Sequence, residues 1–94
     1  MEKYMCPCCG YKTLEDSHEY DICPICFWED DFVQFNSVDF KGGANHVSLR
    51  QAQKNFVEFG ACEINMLSHV REPSIYDVKD ESWKHLFSKV DELI

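Results

Sequence analysis

Two cysteine pairs of identical spacing constrain this chain more than any other feature of its sequence. Residues 6–9 and residues 23–26 both read Cys-Pro-X-Cys, and residues 10–22 connect them. Two residues between cysteines allow a tight turn to aim both sulfur atoms at one point, and two such turns can complete a tetrahedron of thiolates. One pair alone would be weak evidence, whereas two matched pairs predict a four-cysteine metal site.

The spacing also assigns the ligands of that site. We predict that one structural Zn²⁺ ion is bound by the matched set Cys6, Cys9, Cys23 and Cys26. Adjacent cysteines cannot easily bind one ion from the same turn, so Cys8 is left outside the set. Cys62 lies far along the chain, and we interpret it as a small buried hydrophobic residue.

Other uses of clustered cysteines compete with structural zinc. A four-cysteine site can also hold iron, which makes a rubredoxin-like electron-transfer protein the main alternative. Disulfides would need an oxidising compartment, and a thioredoxin-like site would need a cysteine pair at the start of a helix that follows a strand. A thiol or hydrolytic enzyme would need an open polar cleft near Cys8, Cys62 or a histidine. Because four cysteines leave no position for water on a zinc ion, we predict that the protein is not an enzyme.

The charge of the chain limits its partners. Its 94 residues carry 17 acidic and 9 basic side chains, for a formal net charge of -8. Nucleic acid binding depends on neutralising phosphates, and anionic membranes repel acidic proteins, so we expect neither kind of partner. We predict that the partner is another protein, one with a basic surface. No export signal precedes Cys6, so we expect a cytoplasmic protein.

The predicted fold is a single α+β domain over residues 1–94. Residues 1–28 supply a pair of metal-binding turns, and strand-favouring segments at 11–14 and 19–22 predict a short zinc-ribbon-like β-hairpin between those turns. Two amphipathic helices are predicted to follow toward the C-terminus, over residues 48–60 and 80–93. A chain this short buries a limited core, so a bound metal would add stability that the core alone lacks.

The two predicted helices differ in their end signals. Ser48 and Gln51 form a capping box before the first helix, and Gly60 stands where a left-handed C-terminal residue is expected. The second helix is predicted to start near Asp80 or Ser82, and its apolar side chains recur at helical intervals. Both apolar faces are interpreted as parts of the core.

Two segments outside the cysteine pairs are candidates for function. Residues 28–31 have two interpretations. In the first, they form an acidic and aromatic edge that a partner or a cation recognises. In the second, which we favour, the aromatic residue covers the metal and the acidic side chains are solvated. Residues 42–45 precede the first helix, where backbone N–H groups can bind anions, but a turn stabilised by Asn45 fits them better. The candidate interaction surface comprises Trp28, Glu29, Asp30, Asp31, Gly42, Gly43 and Asn45.

Several of these motifs together resemble a known family. The segment Cys6-Pro-Cys-Cys-Gly-Tyr11, the run from Asp21 to Asp31, the segment Gly42-Gly-Ala-Asn45 and the pair Ser48-Leu49 are similar to the cysteine-rich CPCC family of small bacterial proteins. The resemblance covers about residues 5–73. It implies a cytoplasmic protein of bacteria or phages with a pair of metal-binding knuckles, and it implies no activity.

Overall fold

Residues 3–86 are described by the computed structural model, and they form an α+β fold, as predicted. The strands are β1 (Tyr4–Met5) and β2 (Lys12–Leu14), and the α-helices are α1 (Phe32–Asn36) and α2 (Leu49–Phe59). A 3-10 helix covers Ile64–His69. Among residues 3–86, no helix has the length and apolar character of a membrane span.

Each cysteine pair lies in the turn of its own hairpin. β1 pairs with β2 in antiparallel register across the first cysteine pair, with Tyr4 opposite Leu14. Across the second pair, Ile22 and Glu29 form an antiparallel bridge. The prediction that segments 11–14 and 19–22 pair with each other is therefore wrong. Each segment instead finds its partner across the neighbouring metal-binding turn.

The two turns, called here the first knuckle (residues 6–10) and the second knuckle (residues 23–27), share one backbone conformation. The last N–H of each knuckle donates to the first carbonyl at 2.8 Å. The last residue is left-handed in both, with φ of 82° at Gly10 and 68° at Phe27. This conformation turns the chain back along its hairpin, and glycine adopts it more readily than phenylalanine.

Helix α2 begins and ends where the sequence predicts. The hydroxyl oxygen of Ser48 accepts a hydrogen bond from the N–H of Gln51 at 3.1 Å. Gly60 ends the helix in a left-handed conformation with φ of 92°. Leu49 and Ala52 are buried, so the predicted apolar face of this helix does cover the core.

The predicted helix over residues 80–93 is wrong for its described part, and residues 87–93 lie outside the described residues. Residues 80–86 form a turn and irregular backbone. The carboxylate of Asp80 accepts hydrogen bonds from the N–H and the hydroxyl of Ser82, at 2.8 and 2.6 Å, which stabilises the turn.

Tertiary hydrogen bonds explain why the chain stays irregular after that turn. The indole N–H of Trp83 donates to the carbonyl of Pro7 at 2.8 Å. The backbone N–H of Leu86 donates to the side chain of Gln53 at 2.7 Å. Apolar spacing indicates which residues face the core, but side-chain anchors of this kind hold them there without a helix.

Helix α1 and the 3-10 helix were not predicted. The carboxylate of Asp31 caps α1 by accepting the N–H groups of Val33 and Gln34, at 2.8 and 3.2 Å. Short helices show little hydrophobic periodicity, so the capping residue was the only local sign of a helix start.

Residues 71–80 form a strap that joins the two knuckles. At one end, the N–H of Arg71 donates to the carbonyl of Pro24 in the second knuckle at 3.2 Å. At the other end, the N–H of Asp80 donates to the carbonyl of Gly10 in the first knuckle at 2.8 Å. The position of the strap therefore depends on the conformation of both knuckles.

Candidate metal centre

The four predicted ligands converge on one point. The sulfur atoms of Cys6, Cys9, Cys23 and Cys26 all lie within 4.8 Å of one another. The sulfurs of Cys6 and Cys26 are 3.5 Å apart, and those of Cys9 and Cys23 are 3.7 Å apart. A tetrahedral ion with metal–sulfur bonds of about 2.3 Å would separate its sulfurs by about 3.8 Å. The four thiols are thus positioned to bind one metal ion.

Protein atoms enclose this cluster on every side. The exposed fraction of all four cysteines is 0%. Structural zinc sites are closed by four protein ligands, whereas catalytic sites keep one position for water or substrate. The enclosure is therefore typical of a structural metal centre.

The electrostatics of the cluster favour a bound cation. Burial raises the pKa of the Cys6 and Cys26 thiols well above its ordinary value, because a thiolate is poorly solvated there. Hydrogen bonds from Cys26, Cys6 and Cys9 lower the pKa of the Cys23 thiol strongly. Cys6 and Cys26 therefore hold their protons until a cation replaces them, so metal binding would release protons.

Two further groups donate hydrogen bonds to the sulfur of Cys23. The hydroxyl of Thr13 lies 3.0 Å from that sulfur, and the backbone N–H of Ile25 lies 3.4 Å from it. Donors of this kind stabilise a thiolate and orient a ligand around its metal. Thr13 had been interpreted only as part of a strand, and nothing in the sequence singled out its hydroxyl.

The first knuckle is supported by residues that lie far along the chain. The carbonyl of Pro7 accepts hydrogen bonds from the side chain of Gln53 at 2.9 Å and from the indole of Trp83 at 2.8 Å. The indole also packs on Gly10, where an added Cβ would lie 2.7 Å from its ring. Gly10 is thus needed both for its left-handed backbone and for the close approach of Trp83.

Different residues support the second knuckle. The N–H of Cys62 donates to the carbonyl of Cys26 at 2.8 Å. The ring of Phe27 stacks on that of His69, with their centres 5.1 Å apart. Backbone groups and ring stacking therefore hold this knuckle, together with the strap at Pro24.

The two remaining cysteines are buried beside the cluster. Cys8 is 0% exposed and Cys62 is 2% exposed. Burial raises the pKa of the Cys8 thiol, against a hydrogen bond to Cys26 that lowers it. Burial likewise raises the pKa of Cys62 to about 12. Both side chains are inaccessible and burial favours their protonated form, which fits the interpretation of Cys62 as a small buried hydrophobic residue.

The candidate interaction surface is largely internal. The exposed fractions are 0% for Trp28, 1% for Asp30, 5% for Asp31 and 8% for Asn45. Trp28 is buried in the core, and the expectation of solvated acids is wrong for both aspartates. A partner cannot reach these side chains in the folded chain.

Hydrogen bonds to the backbone explain why these polar side chains are buried. The carboxylate of Asp31 accepts the N–H of Ala44 at 2.9 Å, in addition to capping α1. The side chain of Asn45 accepts the N–H of Glu29 and donates to its carbonyl, at 3.0 and 2.8 Å. Gly43 packs so closely that an added Cβ would lie 2.7 Å from the Asp31 carboxylate. Gly42 and Gly43 are exposed, but they belong to a loop that Asp31 and Asn45 hold in place.

Gln34 is a further member of the hydrogen-bond network around Asp31 and Asn45. Its role there is not predicted by the sequence. Its side chain is 0% exposed. Its amide nitrogen lies within hydrogen-bond distance of the carbonyls of Phe40, Asn45 and Val47, at 3.1, 3.1 and 3.0 Å. A single glutamine in a five-residue helix carries no sequence signal for such a role.

A comparison with known protein families supports the resemblance that the cysteine motifs indicated. The family model described as cysteine-rich CPCC matches residues 4–77. A search of curated proteins finds no match to the chain. The chain therefore belongs to the cysteine-rich CPCC family, and the match includes both knuckles.

Proposed function

We propose that this member of the cysteine-rich CPCC family is a non-enzymatic, zinc-stabilised domain that binds another protein. One observation carries the first part of the proposal: four sulfurs converge within 4.8 Å of one another. Cys6, Cys9, Cys23 and Cys26 would hold the ion, which would supply structural stability and release thiol protons on binding.

A closed shell of four thiols is typical of structural zinc sites. Iron is the alternative, because a four-cysteine site accepts either metal. Metal analysis of the purified chain, together with its visible absorption spectrum, separates the two. We expect one zinc per chain and a colourless protein. A red protein with iron bound at stoichiometry would instead support a rubredoxin-like electron carrier.

Burial of the spare thiols supports a non-enzymatic role. A nucleophilic cysteine needs access to solvent and a lowered pKa. Cys8 and Cys62 have neither, since both are buried and burial raises the pKa of each. We expect both to resist thiol reagents in the zinc-loaded chain. Rapid modification of either cysteine without loss of metal would reopen the possibility of a thiol enzyme.

The proposed partner follows from charge. A chain of net charge -8 attracts basic surfaces and repels phosphates. We therefore propose a basic protein in the bacterial cytoplasm, where reducing conditions keep thiols available for metal.

Affinity capture with matched baits tests this partner. The zinc-loaded chain and a chelator-treated chain are immobilised side by side and exposed to the same bacterial extract. We expect a basic protein that is retained only by the zinc-loaded chain and elutes as salt is raised. Retention of nucleic acid at low salt, or equal retention of proteins by both baits, would contradict the proposal.

A further inference from the structure

Two segments of the chain join the knuckles to each other, and they differ in burial. The segment around α2 reaches the first knuckle where the side chain of Gln53 donates to the carbonyl of Pro7 at 2.9 Å. It reaches the second where the N–H of Cys62 donates to the carbonyl of Cys26 at 2.8 Å. Gln53 and Cys62 are each 2% exposed. The strap is the other connection, and none of its residues 71–80 is buried.

Two short backbone hydrogen bonds hold the strap at the first knuckle. The N–H of Asp80 donates to the carbonyl of Gly10 at 2.8 Å. The N–H of Lys12, in the strand that follows this knuckle, donates to the carbonyl of Val78, also at 2.8 Å. Both bonds link the same end of the strap to the first hairpin.

The side chain of Lys79 adds to the attachment at this end. Its ammonium lies over two aromatic rings, 5.2 Å from the centre of Tyr11 and 4.6 Å from the centre of Trp83. A cation within about 6 Å of a ring centre is attracted to the face of that ring. The end of the strap at the first knuckle is therefore held by backbone and side chain together.

The end of the strap at the second knuckle is held more weakly. The N–H of Arg71 donates to the carbonyl of Pro24 at 3.2 Å, a longer bond than either at the other end. The guanidinium of Arg71 is braced within the strap, because it donates two hydrogen bonds to the carboxylate of Asp77, at 2.7 and 2.9 Å. That carboxylate also accepts the N–H of Ser74 at 2.7 Å. The attachment to Pro24 thus depends on the conformation that Asp77 stabilises.

The metal centre must open before an ion can be exchanged, because all four predicted ligands are 0% exposed. Local opening begins in segments that have few buried apolar contacts and exposed backbone hydrogen bonds. The strap has both properties. On the side of α2, by contrast, Leu49 and Ala52 are 2% and 0% exposed and pack in the same core as the cysteines. Opening on the side of the strap therefore costs less.

We propose that the strap is a gate on the metal centre, and that its release from Pro24 limits the rate of zinc exchange. The end of the strap at the first knuckle acts as the hinge of this gate. The inference rests on the zinc centre of the proposed function and is independent of the protein partner. A purified chain without zinc would refute the zinc centre, whereas a zinc-loaded chain whose release rate is insensitive to the strap would refute the gate alone.

Transfer of zinc from the loaded full chain to an excess of a chromophoric chelator tests the gate. If opening of the strap limits the transfer, the rate should stop rising at high chelator concentration. Asp77→Asn weakens the brace on Arg71, so it should raise this limiting rate at least about threefold. The variant should still bind one zinc per chain and keep its circular dichroism spectrum.

Asp39→Asn is the matched control for this substitution. Asp39 forms a comparable pair with Arg50, with two hydrogen bonds of 2.7 and 3.3 Å, in the segment between α1 and α2. The control should leave the limiting rate unchanged, because this pair lies outside the strap. Equal acceleration by both substitutions would overturn the gate, as would a rate that Asp77→Asn does not change. A rate that keeps rising in proportion to the chelator would overturn it too.

Amide hydrogen exchange of the natural zinc-loaded chain, followed by NMR, tests the same opening without a substitution. The N–H of Arg71 should exchange fastest, that of Asp80 more slowly, and that of Cys62 slowest. These three amides report on the releasable end of the strap, its hinge and the side of α2. A Cys62 amide that exchanges as fast as the Arg71 amide would contradict the proposal, because the centre would then open on both sides at once.

Discussion

The two knuckles have the same motif and the same backbone turn, but different parts of the chain hold them. The carbonyl of Pro7 in the first knuckle accepts hydrogen bonds from Gln53 and Trp83. The second knuckle is held by the N–H groups of Cys62 and Arg71. Trp83 lies beyond residues 4–77, which match the family model, so the first knuckle relies on a contact outside that match.

This difference shows how a short motif organises a whole chain. Two knuckles alone present few apolar groups, and each is completed by elements that follow much later in the sequence. The metal centre thereby links α2, the strap and Trp83 to the N-terminal hairpins. Substitutions at the knuckles should consequently affect distant parts of the fold, and the two knuckles should respond differently.

The largest effect is expected from removing a predicted ligand. Because both knuckles would share one ion, losing it should disrupt both of them equally. Cys23→Ser or Cys26→Ser should lose zinc and most of the folded structure, since metal binding contributes about 10–16 kcal/mol in small zinc-finger peptides. Metal analysis and circular dichroism are the measurements. Unchanged metal content and an unchanged spectrum would disprove the assignment of these ligands.

The next effect should separate the two knuckles at their left-handed residues. Gly10→Ala should cost about 1–2 kcal/mol for the backbone conformation, plus the displacement of Trp83, whose ring would lie 2.7 Å from the new Cβ. Phe27→Gly should cost about 1 kcal/mol or less, since relief of its left-handed backbone offsets the lost stacking on His69. Denaturant unfolding of the zinc-loaded chains compares the two.

A double variant isolates the packing part of that cost. In a Trp83→Ala background, Gly10→Ala should be less destabilising, because the ring that it would displace is absent. An equal cost in both backgrounds would mean that Trp83 does not support the first knuckle in solution.

Acid should displace metal from the thiols of both knuckles, and it should also act through the buried Asp31, which follows the second knuckle in the chain. Burial pushes the pKa of Asp31 up, but hydrogen bonds from the N–H groups of Ala44, Gln34 and Val33 outweigh it and leave the pKa below its ordinary value. The carboxylate therefore adds stability above the pKa it has in the unfolded chain. That stability is lost as the pH falls through the lower, folded pKa.

Asp31→Asn tests this assignment. At neutral pH the variant should be about 1 kcal/mol less stable, because the amide keeps one acceptor oxygen for the helix cap and leaves the N–H of Ala44 without an acceptor. The difference between the two proteins should shrink as the pH falls below about 4. The amide proton of Ala44, followed by NMR, should report the same titration in the natural chain. A stability difference that does not depend on pH would rule out the carboxylate as its source.

A similarly small effect is expected at Cys8, the cysteine of the first knuckle that has no counterpart in the second. Cys8→Ala should keep one zinc per chain and cost about 1 kcal/mol, since it replaces a small buried side chain that is not a ligand. The same variant should leave the resistance of Cys62 to thiol reagents intact. Loss of zinc in Cys8→Ala would transfer the ligand role to Cys8.

The sequence was informative where a local rule decides the structure. Regular spacing identified the four cysteines whose sulfurs converge, and Ser48 with Gly60 defined the ends of α2. It was uninformative where a side chain bonds to a distant backbone. Asp31 and Asn45 looked like surface groups because their partners at Ala44 and Glu29 become neighbours only in the folded chain.

The prediction of a C-terminal helix was wrong for the same reason. Trp83 and Leu86 have helical spacing, but the carbonyl of Pro7 and the side chain of Gln53 hold them in an irregular conformation. Hydrophobic periodicity cannot anticipate such anchors, because they depend on how the first knuckle packs on α2. Pairing of the hairpins was likewise decided by the knuckles, each of which brings its own flanking segments together.

Native mass spectrometry of three chains tests the central claim, that one closed centre joins both knuckles. The natural chain and Cys8→Ala should each carry one zinc ion, and Cys26→Ser should carry none and show the broad charge-state distribution of an unfolded chain. Zinc retained by Cys26→Ser and lost by Cys8→Ala would contradict the account, because the ion would then be held by a different set of thiols.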